Sequence, residues 1–196
     1  MTTVATTATR YIDTLAEVLR HAVVTRRDEV RLSLDAGIDW MRHAATKTHA
    51  GGNKIMFIGN GGSAAIASHM ANDFSKNGGL RATAFNDSSA LTCLGNDFGY
   101  EHVFAKQIEL HHREGDLLIA ISSSGRSRNI LNAVDAAVSG GCRVATLSGF
   151  AADNPLRRMG DINFYLESGA YGFVEIGHLA LCHAVLDIHM GWTGTA

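Results

Sequence analysis

The chain has 196 residues, of which 46% are hydrophobic, 18% charged and 7% aromatic, a length that supports one core without disulfides or a structural metal. With 21 glycines and 1 proline, disorder, collagen and proline-rich linkers are excluded. Lys and Arg number 17 against 19 Asp and Glu, with no basic block anywhere, so a nucleic-acid partner is not expected.

In chain order, Tyr11, Leu15, Val18, Leu19, Ala22 and Val23 recur at helical spacing, as do Val30, Leu34, Ile38, Met41 and Ala45. Residues 1–50 are therefore expected to form two amphipathic helices with no strand between them. Their wide apolar stripes suit packing against other subunits. From residue 53 the pattern changes to short apolar runs at 54–58, 81–85, 116–121, 142–147 and, more weakly, 162–166, alternating with helix-period segments. Continuous apolar strands between helices mark βαβ units and a parallel sheet covered on both faces. The expected architecture is α/β: a three-layer α/β/α sandwich with a five-stranded, mostly parallel sheet and an N-terminal helical pair. A last helix is expected over about 173–190. Residues 1–196 read as a single domain, with oligomerisation helices at 1–50 and a ligand-binding core at 51–196.

No apolar run reaches the roughly 20 residues that span a bilayer, and residues 1–10 are Thr/Ala-rich with no apolar segment of a secretory signal. Cys93, Cys142 and Cys182 are widely spaced among apolar residues and read as reduced core thiols. A cytoplasmic location away from membranes is expected.

Two strand ends carry unusual loops. Gly59-Asn60-Gly61-Gly62-Ser63 precedes a helix at 64–74, with Ser63 a natural N-cap, and Ser122-Ser123-Ser124-Gly125-Arg126-Ser127 precedes a helix whose buried face holds Ile130, Leu131, Val134 and Val138. Hydroxyls, backbone N–H groups and a helix N-terminus make an anion site at the carboxyl ends of the strands. The glycine loop lacks both the Lys of a Walker motif and the spacing of a dinucleotide fingerprint, which weakens a nucleotide reading. A plain tight turn and a capped polar turn are the structural alternatives for the two loops.

The strand-GNGGS-helix unit, the SSSGRS loop and the segment Gly95-Asn96-Asp97-Phe98-Gly99-Tyr100 together resemble the sugar isomerase (SIS) fold, and within it the phosphoheptose isomerases, over nearly the whole chain. The resemblance implies a homotetramer with active sites at subunit interfaces. The reaction it implies converts sedoheptulose 7-phosphate to D-glycero-D-manno-heptose 7-phosphate in the synthesis of activated heptose for surface polysaccharide such as lipopolysaccharide. The implied sugar and phosphate contacts fall on Asn60, Gly61, Gly62, Asn96, Asp97, Ser122, Ser123, Ser124 and Ser127, with Ser63 a further candidate. Two alternatives stand beside the enzyme: a non-catalytic SIS phosphosugar-binding or replication-initiator-associating regulator, and an isomerase of another phosphosugar.

His69 and Asp73 are four apart and share one helix face, able to hold a metal, move protons or simply bond to each other. Ile66, Met70 and Phe74 form the neighbouring, core-facing stripe. In the last helix Glu175, His178 and His183 punctuate an apolar run, and His178 reads first as a core or interface histidine. The resemblance implies one zinc per subunit, on a His and a Glu four apart and a Gln and a His eight apart. Those positions hold His69, Asp73, Glu175 and His183 here, so Asp73 and Glu175 both depart from the family pattern. For aldose–ketose isomerisation through a cis-enediol we assign Asp73 as the expected base, His183 as its acid partner and zinc as carbonyl polariser. Glu175 is the alternative base, and both carboxylates are expected to touch the sugar. Four retained polar positions favour the enzyme over the regulator.

Overall fold

The computed structural model describes residues 7–195. The first six residues, part of the Thr/Ala-rich stretch read above as lacking a secretory signal, lie outside the described residues. Helix α1 (Ala8–Arg20) leads into a hairpin of β1 (Val23–Arg26) and β2 (Arg31–Leu32), then α2 (Leu34–Ala50). Next come β3 (Ile55–Gly59), α3 (Gly62–Lys76), β4 (Ala82–Ala84), α4 (Ser88–Phe98) and α5 (Val103–His111). The chain closes with β5 (Leu117–Ser122), α6 (Arg128–Ser139), β6 (Arg143–Ser148), β7 (Ile162–Tyr165) and α7 (Tyr171–His189).

The sheet has seven strands in the order β2-β1-β7-β6-β5-β3-β4. The five expected strands are present and mutually parallel. The expected strand-free N-terminal pair is incorrect, because β1 adds antiparallel to β7 and β2 to β1. The apolar period of residues 11–23 runs past the true end of α1, so Val23 belongs to a strand. Val30 sits in the hairpin turn beside Glu29, which takes the left-handed φ of 62°. The β-branched residues Val23, Val24 and Thr25 suit a strand better than a helix end.

Alternate residues of the central strands feed the two layers. Ile55, Phe57, Leu117, Ile119 and Ile121 pack with Ile38, Met41, Ile66, Met70, Phe74, Leu181 and Val185 on one face. Met56, Ile58, Leu118 and Ala120 pack with Val103, Phe104, Ile108, Ile130 and Val134 on the other. The stripe of α2 is therefore covered inside the chain, whereas α1 buries no residue fully and exposes Tyr11 and Ile12. Helix α7 is long and apolar enough to cross a bilayer, yet it packs on α2 and α3, burying Val174, Leu181, Cys182, Val185 and Leu186. Cys142 and Cys182 are buried as expected, but Cys93 is exposed. It lies on α4, a helix with no fully buried residue.

At the amino-terminal edge of the sheet, fully buried Asp116 pairs with the Lys54 ammonium and accepts from the N–H groups of Lys54 at 2.9 Å and Arg113 at 2.8 Å. This carboxylate ties the starts of β3 and β5 together. Removing it leaves two N–H groups unpaired and a largely buried ammonium with only the neutral His111 carbonyl as partner, at a cost of about 3 kcal/mol. Asp116→Ala should therefore lower the unfolding free energy by that amount in urea titrations.

Candidate functional site

Helix α3, which follows β3, covers one face of the sheet, and α6, which follows β5, covers the other. Between the carboxyl ends of these neighbouring strands the chain leaves a crevice, the position where open α/β sheets hold ligands. A cavity of about 270 Å³ occupies it, lined by Asn60, Gly61, Gly62 and Ser63, by Ser122, Ser123, Ser124 and Ser127, and by Tyr171 and Glu175. The glycine and serine loops are thus brought together as expected. Asn96 and Asp97 are not: they lie exposed near the end of α4, where the Asn96 amide donates to Asp97 at 2.8 Å, and neither lines the cavity.

Thr7, Ser33 and Asp87 cap α1, α2 and α4 with side-chain oxygens. The three helices that start at the cavity, α3, α6 and α7, have no side-chain cap. Helix α5 is uncapped too, but only these three point their positive dipole ends at the cavity, although in α3 and α6 the N–H groups of Ala64 and Ile130 already bond to backbone carbonyls. The expected cap at Ser63 is incorrect. Helix α3 begins at Gly62 from Gly61, whose φ of 54° favours glycine, so Ser63 is buried within the first turn.

In the serine loop, the hydroxyl oxygens of Ser122 and Ser124 accept from the N–H groups of Gly125 and Arg126, each at 3.2 Å. Their own hydrogens remain to be donated. The Ser123 hydroxyl is buried with no partner, a polar atom whose burial is costly until a ligand meets it. Three further residues escaped the sequence reading. Asn129 exchanges two amide hydrogen bonds of 2.9 Å with Asn60, and the Tyr100 hydroxyl donates to Asn60 at 3.0 Å. Tyr171 walls the cavity and is held edge-on by Phe150, a non-glycine residue at φ 56°, the kind of backbone strain that clusters at functional sites. The Asn at the start of α6 and the aromatic at the start of α7 were the available signals, but neither has a recognisable period.

Below the cavity, the parallel helices α3 and α7 bring His69, Asp73 and His183 together, with one ligand atom of each within 4.8 Å of the others. His69 Nε2 lies 3.3 Å from His183 Nε2 and 3.4 Å from an Asp73 oxygen. Ligands at about 2.0–2.1 Å from a tetrahedral zinc sit about 3.3–3.4 Å from one another; the two separations from His69 match this, whereas Asp73 and His183 stand further apart, within 4.8 Å, and would have to draw together around a metal. Ile66, Met70 and Phe74 are buried beside the group as expected. Glu175 is not in it. Its carboxyl lies against Gly62, where an added Cβ would come 2.5 Å from the carboxyl carbon. No Arg, Lys or His lines the cavity; Arg126 is drawn outward to Asp153 at 2.7 Å.

Residues 10–149 match the family described as SIS domain. The chain is 35% identical over 182 residues to a phosphoheptose isomerase of Akkermansia muciniphila, covering 89% of this chain and 96% of that one. It is 39% identical over 150 residues to the phosphoheptose isomerase of Aliarcobacter butzleri, covering 74% and 79%. Among solved structures, phosphoheptose isomerase GmhA from Neisseria gonorrhoeae superposes with a TM-score of 0.80 at 30% identity, covering 92% of this chain and 96% of that one.

His178 lies one turn beyond Glu175 but outside the cavity lining. It is fully buried, its Nε2 donates to the Ser148 carbonyl at 3.1 Å, and its Nδ1 has no partner. This is the core histidine the sequence favoured, with one nitrogen left unsatisfied. Burial pushes its pKa down from 6.5 to about 4, against a smaller upward pull from the Ser148 carbonyl. Between those values the unfolded chain binds a proton that the folded chain refuses. The stabilisation is complete above pH 6.5 and lost as pH falls toward 4, about 3 kcal/mol over the window. Urea titrations at pH 7 and 4.5 should show this acid loss, and His178→Gln should flatten it.

Proposed function

The chain belongs to the phosphoheptose isomerase family of SIS-domain proteins, and from that premise we propose that it isomerises sedoheptulose 7-phosphate to D-glycero-D-manno-heptose 7-phosphate through a cis-enediol. The observation that carries this reading is the placement of two sites along the same helix pair, α3 and α7. An anion cavity built from uncapped helix starts and an unpartnered serine hydroxyl opens beside a carboxylate, with a His-His-Asp group below it.

The serine loop and the starts of α3 and α6 hold the phosphate through neutral donors. Binding energy gathered at that remote end orients the carbons that react. His69, Asp73 and His183 hold one zinc per subunit, which when bound polarises the sugar carbonyl. With its Nε2 3.3 Å from His69 Nε2, His183 is read here in the ligand role, one of the two roles expected for it from the sequence. Asn60 acts mainly through its pairing with Asn129, which fixes the spacing between the two loops. Asn96 and Asp97 are assigned to the sugar only if a second subunit closes over them. A homotetramer is part of the proposal, supported by the exposed Tyr11 and Ile12 of α1. A cytoplasmic location is supported by the absence of disulfides among the described cysteines.

A panel of ketose and aldose phosphates followed by NMR, with and without zinc, tests the reaction. Sedoheptulose 7-phosphate should turn over, and chelation should stop it. Ser123→Ala should raise KM about tenfold, equivalent to roughly 1.4 kcal/mol, with kcat little changed; an unaltered KM removes that hydroxyl from the phosphate site. Light scattering should report about four times the chain mass of 20.9 kDa, whereas a monomer at micromolar concentration would exclude an interfacial site.

A further inference from the structure

A second cavity, of about 450 Å³, lies at the opposite end of the sheet from the glycine and serine loops. It opens where β3 and β5 begin and α5 ends. Asn53 and Lys54 precede β3, Arg81 and Thr83 come from the β4 edge, and His111 and Arg113 come from the end of α5. The climb of β3 from Ile55 to Gly59 puts about 13 Å of strand between the two cavities, so the isomerase reading makes no use of this one.

Its charge is the reverse of the crevice's. Lys54, Arg81 and Arg113 face one carboxylate, Asp116, which already accepts from the Lys54 ammonium and from the N–H groups of Lys54 and Arg113. No ion pair among the described residues involves Arg81 or Arg113. The Arg81 guanidinium is steadied by a bond to the Gly52 carbonyl at 2.9 Å. The Lys54 side chain is only 16% exposed, and its ammonium gives two of its three N–H bonds to Asp116 and the His111 carbonyl, which leaves one for a ligand. Two guanidinium forks beside an ammonium suit a phosphate. A bare phosphate would leave most of the space empty, because the volume is that of a small-molecule site, roughly 300–1,000 Å³. The same cavity has an aromatic wall. The rings of Phe85 and His111 lie 6.1 Å apart, tilted by 34°, a surface on which a planar ring stacks.

From this combination we infer that the cavity at the amino ends of β3 and β5 is a second ligand site, for a nucleoside phosphate. Arg81, Arg113 and Lys54 hold its phosphate, Phe85 and His111 stack its base, and Asn53 and Thr83 meet its hydroxyls. Calorimetry on the full chain with AMP, GMP and CMP tests the site, with adenosine and inorganic phosphate as the two halves of the ligand. At least one mononucleotide should bind about tenfold or more tightly than either half. Arg81→Ala and Arg113→Ala should each weaken that binding about tenfold, the scale of one lost charge-assisted bond. Ser123→Ala, in the other cavity, should leave it unchanged. Both arginines are exposed, and their variants should keep the wild-type melting temperature and isomerase turnover. No mononucleotide binding at millimolar concentration, phosphate binding as tight as that of the mononucleotides, or binding unaffected by the arginine substitutions overturns the inference. None of these outcomes bears on the isomerase reading.

Discussion

The structure depends on the parting of β3 and β5. The two strands are hydrogen-bonded neighbours from Ile55–Leu117 to Gly59–Ile121, but their chains leave the sheet toward opposite faces. A helix pair that diverges in this way cannot close over the strand ends, so a crevice is unavoidable at that point. What the sequence adds is a way of holding the crevice at one width. The reciprocal amide pair of Asn60 and Asn129 joins the loop of one layer to the first turn of the other. Each such bond contributes only about 1 kcal/mol net, but together they set the distance across which a ligand is gripped.

The charge arrangement in that crevice is one-sided. No cation lines it, the nearest arginine of the serine loop is paired outward, and the one formal charge present is the Glu175 carboxylate. An anion is met by hydroxyls and helix starts, whose geometry is fixed, and not by mobile ammonium groups.

Rigidity under the serine loop comes from buried polar bonds at the ends of β6 and β7. The Asn163 amide donates to Thr146 and Ser148, and the Asn154 amide donates to the Ala151 carbonyl at 2.8 Å. His178 hangs from the Ser148 carbonyl on the same side. Such networks hold one loop conformation when satisfied and are costly where they are not. Here the unsatisfied atoms, Ser123 Oγ, Asn154 Oδ1 and His178 Nδ1, are few among the described residues and lie close to the site.

Much of this was legible in the amino-acid sequence. Short, largely apolar runs identified all five parallel strands, most plainly β3 and β5, which are buried along their whole length, because a strand buried on both faces has little polar register. Glycine and serine clusters at strand ends identified both loops of the cavity, since backbone approach and hydroxyl donors require those residue types locally. Helical spacing placed His69 and Asp73 on one face. The hairpin at Val23–Leu32 escaped notice because helical spacing in the preceding residues happens to continue through Val23. Only the tertiary structure could decide the rest, because it depends on pairs distant in sequence. The partnership of Asn60 with Asn129 spans 69 residues and that of His69 with His183 spans 114. The direction of the Glu175 carboxyl, toward Gly62 and the cavity, is set by how α7 packs along α3. Sequence spacing states which side chains share an element's face, but which of two carboxylates meets the imidazoles of His69 and His183 and which meets the cavity is a property of the packed helices.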